Sequence, residues 1–221
     1  IIFKRLNLTA IRIVMTNLKP ILFMFILAPI SAYATFDETD SGEYLDSQRA
    51  SIMTASQQQI MQDAIYIKQA LAYQNYATIA PLIHPTRGVR FSMYGYVDPK
   101  SDKVFSRAQF TQYLKASKIK FTWGQQDGTG DLYITPLPGY LTSWVNGNKY
   151  KAVAPTLNEF QGYGNSLNNL TEVYKDNNFV EFYYGGSEQY SGMDWEALRL
   201  VFEDYKGKPY LIAIVNDQWT I

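Results

Sequence analysis

His84 is the only histidine in the 221-residue chain, and there is no cysteine. A lone imidazole can serve as a general base or a metal ligand. His84, however, lies between an apolar run and Pro85, where an imidazole often does no more than hold a carbonyl, and a structural role is expected. A metal site would have to be built from carboxylates at matching distance. No spacing supplies them, so neither a metal nor a cofactor is expected. The absence of cysteine removes disulfides, thiolate zinc sites, iron–sulfur clusters and thiol nucleophiles. No serine sits in a G-x-S-x-G elbow, and no catalytic residue is assigned.

Other side chains invite weaker readings. Asp127 to Asp131 (DGTGD) combines oxygen ligands with glycines but lacks the twelve-residue loop and closing Glu of an EF-hand, so it reads as a turn. Asp194 and Glu196 flank Trp195, and paired acids can cleave glycosides; next to a strand, capping or a solvated surface is the plainer reading. The amide-rich stretch Asn165 to Leu170 suits sugars or peptides, and equally suits loop hydrogen bonds. Arg87 and Arg90, beside Tyr94 and Tyr96, can form a face for an anionic ligand or a peptide, against the simpler picture of a solvated strand face. His84, Arg87, Arg90, Tyr94, Trp195 and Trp219 are the ligand-binding candidates.

The elements that must position these residues follow from periodicity. Gln57 to Gln74 carries Ile60, Ala64, Ile67 and Leu71 on one stripe and predicts a helix. Asn75 opens a short second helix, which His84-Pro85 ends. Val89 to Val97 alternates as a strand, closed by Asp98-Pro99. Ser106 and Gln109 form a capping box, with Phe105 and Phe110 placed as a hydrophobic staple. Ile119 to Trp123 reads as a strand. Pro136 starts a helix at its first position, followed by Leu137, Tyr140, Leu141 and Trp144. Asn146 to Asn169 reads as loop. Val173-Tyr174 and Phe179 to Tyr184 are strand-like. Leu198 to Glu203 and Tyr210 to Val215 form a hairpin through Lys206-Gly207-Lys208, and Tyr210 to Val215, apolar on both faces, belongs at the sheet centre. Helices first and antiparallel strands later predict an α+β fold, with helices packed on one face of a curved sheet.

The N-terminus reads as an export signal. Lys19 is a positive n-region, Ile21 to Ile30 an apolar core, and Ala32-Tyr33-Ala34 a cleavage site. A membrane span needs about 20 apolar residues, and Ser31, Thr35 and Asp37 arrive too soon. The expected organisation is residues 1–14 as an upstream extension, 15–34 as signal peptide, 35–56 as a flexible lead-in, and 57–221 as one domain. Residues 35–221 hold 16 basic against 20 acidic side chains, an acidic balance that argues against nucleic acid as partner.

Two stretches carry a resemblance: Ile83 to Ser92 (IHPTRGVRFS), and Asp194 to Glu203 (DWEALRLVFE) leading to Ile214 to Ile221 (IVNDQWTI). They resemble a family of uncharacterised exported bacterial proteins and lipoproteins with IHPxxGVRFS and WxxLRLVFE…GIVHDxWTI signatures. The similarity runs from about Gln57 to the end. It implies export and no particular activity. The chain lacks the lipobox cysteine of the lipoproteins it resembles, which implies no membrane anchor after cleavage, and Asn216 stands where members of that family often have His. The element order is also similar, in architecture alone, to the cone-shaped nuclear transport factor 2-like and ketosteroid-isomerase-like folds, so it supplies no function. The expectation is a periplasmic or secreted, non-catalytic domain that binds a ligand, peptide or envelope protein. The alternatives are a hydrolase or isomerase using His84, Asp194 or Asp217 in a cone-type pocket, and a structural protein of the envelope.

Overall fold

The computed structural model describes residues 53–162 and 166–220, all within one compact unit, Arg49–Ile221. The signal peptide, the upstream extension and most of the lead-in fall outside the described residues.

Helix α1, Ala55–Ala72, starts two residues before the predicted point, because Thr54 and Gln57 make a capping box. Ile60, Ala64, Ile67 and Leu71 are buried as the stripe requires. A 3₁₀ segment, Tyr76–Leu82, follows and holds Pro81. Strand β1, Val89–Ser92, is shorter than the alternation to Val97 suggested. The alternating pattern continues, but the chain leaves the sheet: the Trp144 indole takes the Met93 carbonyl at 2.8 Å, and Asp102 accepts from Ser92 Oγ and the Asp98 amide.

Strand β2, Lys103–Phe105, leads into α2, Arg107–Lys115. Ser106 and Gln109 form the predicted capping box, and Phe105 and Phe110 both pack on Phe91, at 5.6 and 6.3 Å between ring centroids. Strands β3, Phe121–Gln125, and β4, Leu132–Thr135, form a separate two-stranded sheet. Pro136 is the cap residue of α3, Leu137–Tyr140, rather than its first residue. A π turn, Leu141–Val145, continues α3 and ends at Asn146 in the left-handed region. Strand β5, Pro155–Leu157, lies within the predicted loop. Val173-Tyr174 is not strand: α4, Leu170–Val173, forms there, and the Asn168 side chain accepts the Leu170 amide.

Strands β6, Asn178–Tyr184, β7, Glu196–Tyr205, and β8, Lys208–Gln218, complete an α+β fold. The six-stranded sheet has the order β2-β1-β8-β7-β6-β5, antiparallel except for the β1–β8 pair. The β7–β8 hairpin closes through Lys206 and Gly207, both at positive φ, the backbone that a tight two-residue hairpin loop requires. Both sheet faces are covered. Phe91, Leu200, Phe202 and Ile214 meet α1, α2 and α3. On the other face, Phe179, Val201, Ala213 and Val215 lie under Val97, Phe160, Leu170 and Tyr174. Strands buried on both faces lose the alternation of a half-exposed sheet. Among the described residues, no helix is long and apolar enough to cross a membrane.

Candidate functional site

The segment from Ile83 to Gly88 is a folded loop built around its imidazole and leads into β1. His84 donates its amide to the Leu211 carbonyl at 2.9 Å, which docks the loop on β8. Its Nδ1 accepts the amides of Arg87 at 2.9 Å and Thr86 at 3.3 Å, and its carbonyl accepts the Gly88 amide at 3.1 Å. Nδ1 is thus an acceptor, which fixes the proton on Nε2, 3.7 Å from Glu203. Burial lowers the His84 pKa; the Glu203 carboxylate pulls it back up, and Arg87 and Arg107 push it down. The ring also packs edge-on against Tyr205 at 4.8 Å. This imidazole is occupied in holding its own loop.

The two arginines lead along the same sheet face. Arg87 pairs with Glu203 at 3.0 Å and lies over Tyr174 at 5.7 Å. Arg90 donates to the Asp98 carbonyl and stands 3.9 Å from Asp102. Burial pushes Asp102 up to about 6; hydrogen bonds from Ser92 and the Asp98 amide, and the charge of Arg90, only partly hold it down. A carboxyl with a raised folded pKa binds its proton more tightly in the folded state. Its contribution to stability is therefore fully present below the unfolded value near 3.8 and is lost as pH rises through about 6. Asp102→Asn, which keeps the shape and removes the titration, is expected to gain about 1–2 kcal/mol on the wild type between pH 4 and pH 7.5, after allowing for solvent screening. Urea midpoints at the two pH values measure this, and a pH-independent difference between the proteins would refute it.

Beneath the neighbouring cover lies a charged group that sequence reasoning missed. Arg199, on β7, is fully buried between two acids: its Nε donates to Glu181 at 2.7 Å and its Nη1 to Asp217 at 2.8 Å. Glu181 and Arg199 are directly opposite on β6 and β7, and Arg199 faces Val215 on β8, two residues before Asp217. The acids also hold the covering chain. Glu181 accepts the amides of Gln161 and Gly162, and Asp217 accepts the Ser166 hydroxyl at 2.6 Å. The guanidinium lies over the Phe160 ring at 4.8 Å. The available signal was a charged residue at the centre of each apolar run, Glu181 in NFVEFYY and Arg199 in ALRLV.

That buried group underlies an open cleft of about 600 Å³. One wall is Tyr94 and Tyr96, from the segment after β1; the second is Gln125 to Gly130, at the tip of the β3–β4 hairpin; the third is Ser166, Leu167 and Thr220. The walls are fixed. Gln126 and Asp131 close the hairpin with an amide-to-carbonyl bond of 2.8 Å, and the Asp127 amide donates to Tyr94 Oη at 2.8 Å. The Tyr94 ring packs edge-on against Trp144 at 5.5 Å. Asn169 joins two walls by pairing its side-chain amide with both backbone groups of Val97. Asp217 lies against Gly95, where an added Cβ would come within 2.8 Å of its carboxyl. Tyr96 is 54% and Leu167 76% exposed.

Of the six predicted binding residues, only Tyr94 lines this cleft. His84, Arg87 and Arg90 follow one another along the polar strip described above. Trp195 is buried beside Tyr183, and its carbonyl accepts the Trp219 amide, so the two tryptophans support the chain that leads to Thr220. Asp194 accepts the amide and hydroxyl of Ser187, and Glu196 pairs with Lys149; these acids serve separate contacts. Among the described residues, no three His, Asp or Glu side chains converge as a metal site. No family model, curated protein or solved structure matches this chain.

Proposed function

We propose that this chain is an exported, periplasmic or secreted binding domain, non-catalytic, that takes a ligand in the cleft between Tyr94, Tyr96, the β3–β4 tip and Ser166-Leu167. One observation carries the reading: His84, Asp194 and Asp217, the groups named for acid–base work, are already used in structural bonds, and none of the three lines the cleft. His84 Nδ1 accepts two amides, Asp194 caps Ser187, and Asp217 is held by Arg199 and Ser166. Asp127 is the only carboxylate among the described lining residues, whereas hydrolysis of a glycosidic bond takes two.

A hydrolase or isomerase with a cone-type pocket has less support. Between the helices and the sheet, the Trp123 and Tyr140 rings stack at 3.8 Å and fill the interior with Phe91, Phe105 and Phe110. Export rests on the signal-like segment Lys19 to Ala34.

Both parts are testable on one preparation. The full chain, expressed in a bacterial host and recovered from the periplasm, is expected to begin at Thr35 by mass spectrometry; retention of residues 21–34 would overturn the export reading. In a thermal-shift screen, a ligand at a hundred times its Kd stabilises by about 2.7 kcal/mol, or roughly 5–10 °C for a domain of this size. Such a shift is expected without turnover of the same compound. Turnover lost on substituting His84, Asp194 or Asp217, with the melting temperature unchanged, would replace the binding reading with a catalytic one.

A further inference from the structure

We propose that the cleft takes a neutral, hydroxyl-rich chain, a short oligosaccharide, with Tyr96 as the platform for a sugar ring; this rests on the binding reading above. Charge narrows the ligand first. Among the described residues, no Lys, Arg or His lines the cleft, and the one charged lining side chain is the carboxylate of Asp127. An anionic ligand would find no cation among these residues.

The polar groups narrow it further. Gln125 and Gln126 each present a donor and an acceptor from one planar amide, a geometry that adjacent sugar hydroxyls satisfy in pairs. The hydroxyl of Ser166 keeps its acceptor capacity after donating to Asp217. A sugar ring is apolar on its face and polar on its rim, so it also needs a flat, half-wet surface, and an exposed tyrosine supplies one. Tyr96 is exposed on the wall facing the hairpin tip.

A peptide fits less well. Extended peptides gain affinity by pairing with a strand edge and filling side-chain pockets. Here the lining comes chiefly from turns and loops, and among the described residues Leu167 is its only aliphatic side chain. The walls are ordered before binding, by the closed hairpin, the Asp127–Tyr94 bond and the Ser166–Asp217 bond, which lowers the entropy lost on association.

The test is calorimetry on the secreted product of the full chain with maltohexaose, cellohexaose and chitohexaose at millimolar concentration. Hexagalacturonate and a panel of neutral peptides are the comparison arms. At least one neutral hexasaccharide is expected to bind, and Tyr96→Ala to weaken it about tenfold, with the melting temperature unchanged. Gln126→Ala is the second variant and is expected to weaken the same ligand. Failure of all three neutral sugars, or binding indifferent to both variants, overturns the oligosaccharide assignment. If a peptide or the galacturonate binds instead and Tyr96→Ala weakens it, the sugar assignment fails while the cleft stands as a binding site. If ligands bind and neither variant matters, the cleft reading fails as well.

Discussion

Arg199→Met is expected to destabilise the domain by about 3–5 kcal/mol, the cost of leaving buried charge without its partner. The guanidinium is fully buried, and both acids that face it are buried too. Removing the cation strands two carboxylates that water cannot reach. For a domain of this size the melting temperature should fall by roughly 6–20 °C. The effect should also be local. Glu181 and Asp217 hold Gln161, Gly162 and Ser166, so amide exchange at Gln161 and Gly162 should accelerate beyond the global change. Adding Glu181→Gln and Asp217→Asn to Arg199→Met should recover part of the loss, because neutral amides are less costly to bury than carboxylates. A single-variant loss below about 1 kcal/mol, the scale of a surface pair, would mean that the three charges are not buried together.

Gly88→Ala is the second large effect, at about 3 kcal/mol. Gly88 sits at φ +75°, which disfavours any L side chain by about 1–2 kcal/mol. A Cβ there would stand 2.4 Å from the Phe105 carbonyl oxygen and 2.9 Å from its carbon. Those are backbone atoms of β2, paired in register with Val89, so relief requires β1 and β2 to separate. Moving backbone in a packed region adds about 1–3 kcal/mol. Guanidinium denaturation measures the sum. An unchanged midpoint would show that the IHPTRG loop adapts freely. The same contact explains the spacing of that motif: His84 gathers the amides of Thr86 and Arg87, and Gly88 then passes under β2, where only a hydrogen fits.

Signals confined to a few neighbouring residues were legible in the sequence. The Ser106–Gln109 box and the Lys206-Gly207 hairpin are set by local hydrogen bonds and backbone angles. The run Tyr210 to Val215 announced the sheet centre because it is apolar on both faces, and β8 indeed lies between β1 and β7. Elements defined by distant partners were not legible. Strands β2, β4 and β5 have three or four residues each, too few to show a period, and exist through their neighbours. Val173-Tyr174 has strand-like side chains, yet the Asn168 side chain upstream takes the Leu170 amide at the start of a helical turn. The charged group failed to show for the same reason. Glu181, Arg199 and Asp217 lie 18 residues apart in succession, and only the register of three strands brings them together. The cleft joins four separate segments, so its residues could be named in the sequence but not assembled.

The parallel pairing of β1 with β8 has a consequence in time. Arg90 meets Ala213, and Phe91 meets Ile214, so the middle of the sheet joins segments more than a hundred residues apart. Strand β8 follows every other strand in chain order. During synthesis the sheet cannot close until β8 has emerged, and pairings between remote segments form slowly. A chain that has not reached β8 has only the β1–β2 and β5–β6–β7 pairings of this sheet, in two separate pieces, and for a protein proposed to leave the cytoplasm that delay keeps the polypeptide from closing its sheet until β8 is made.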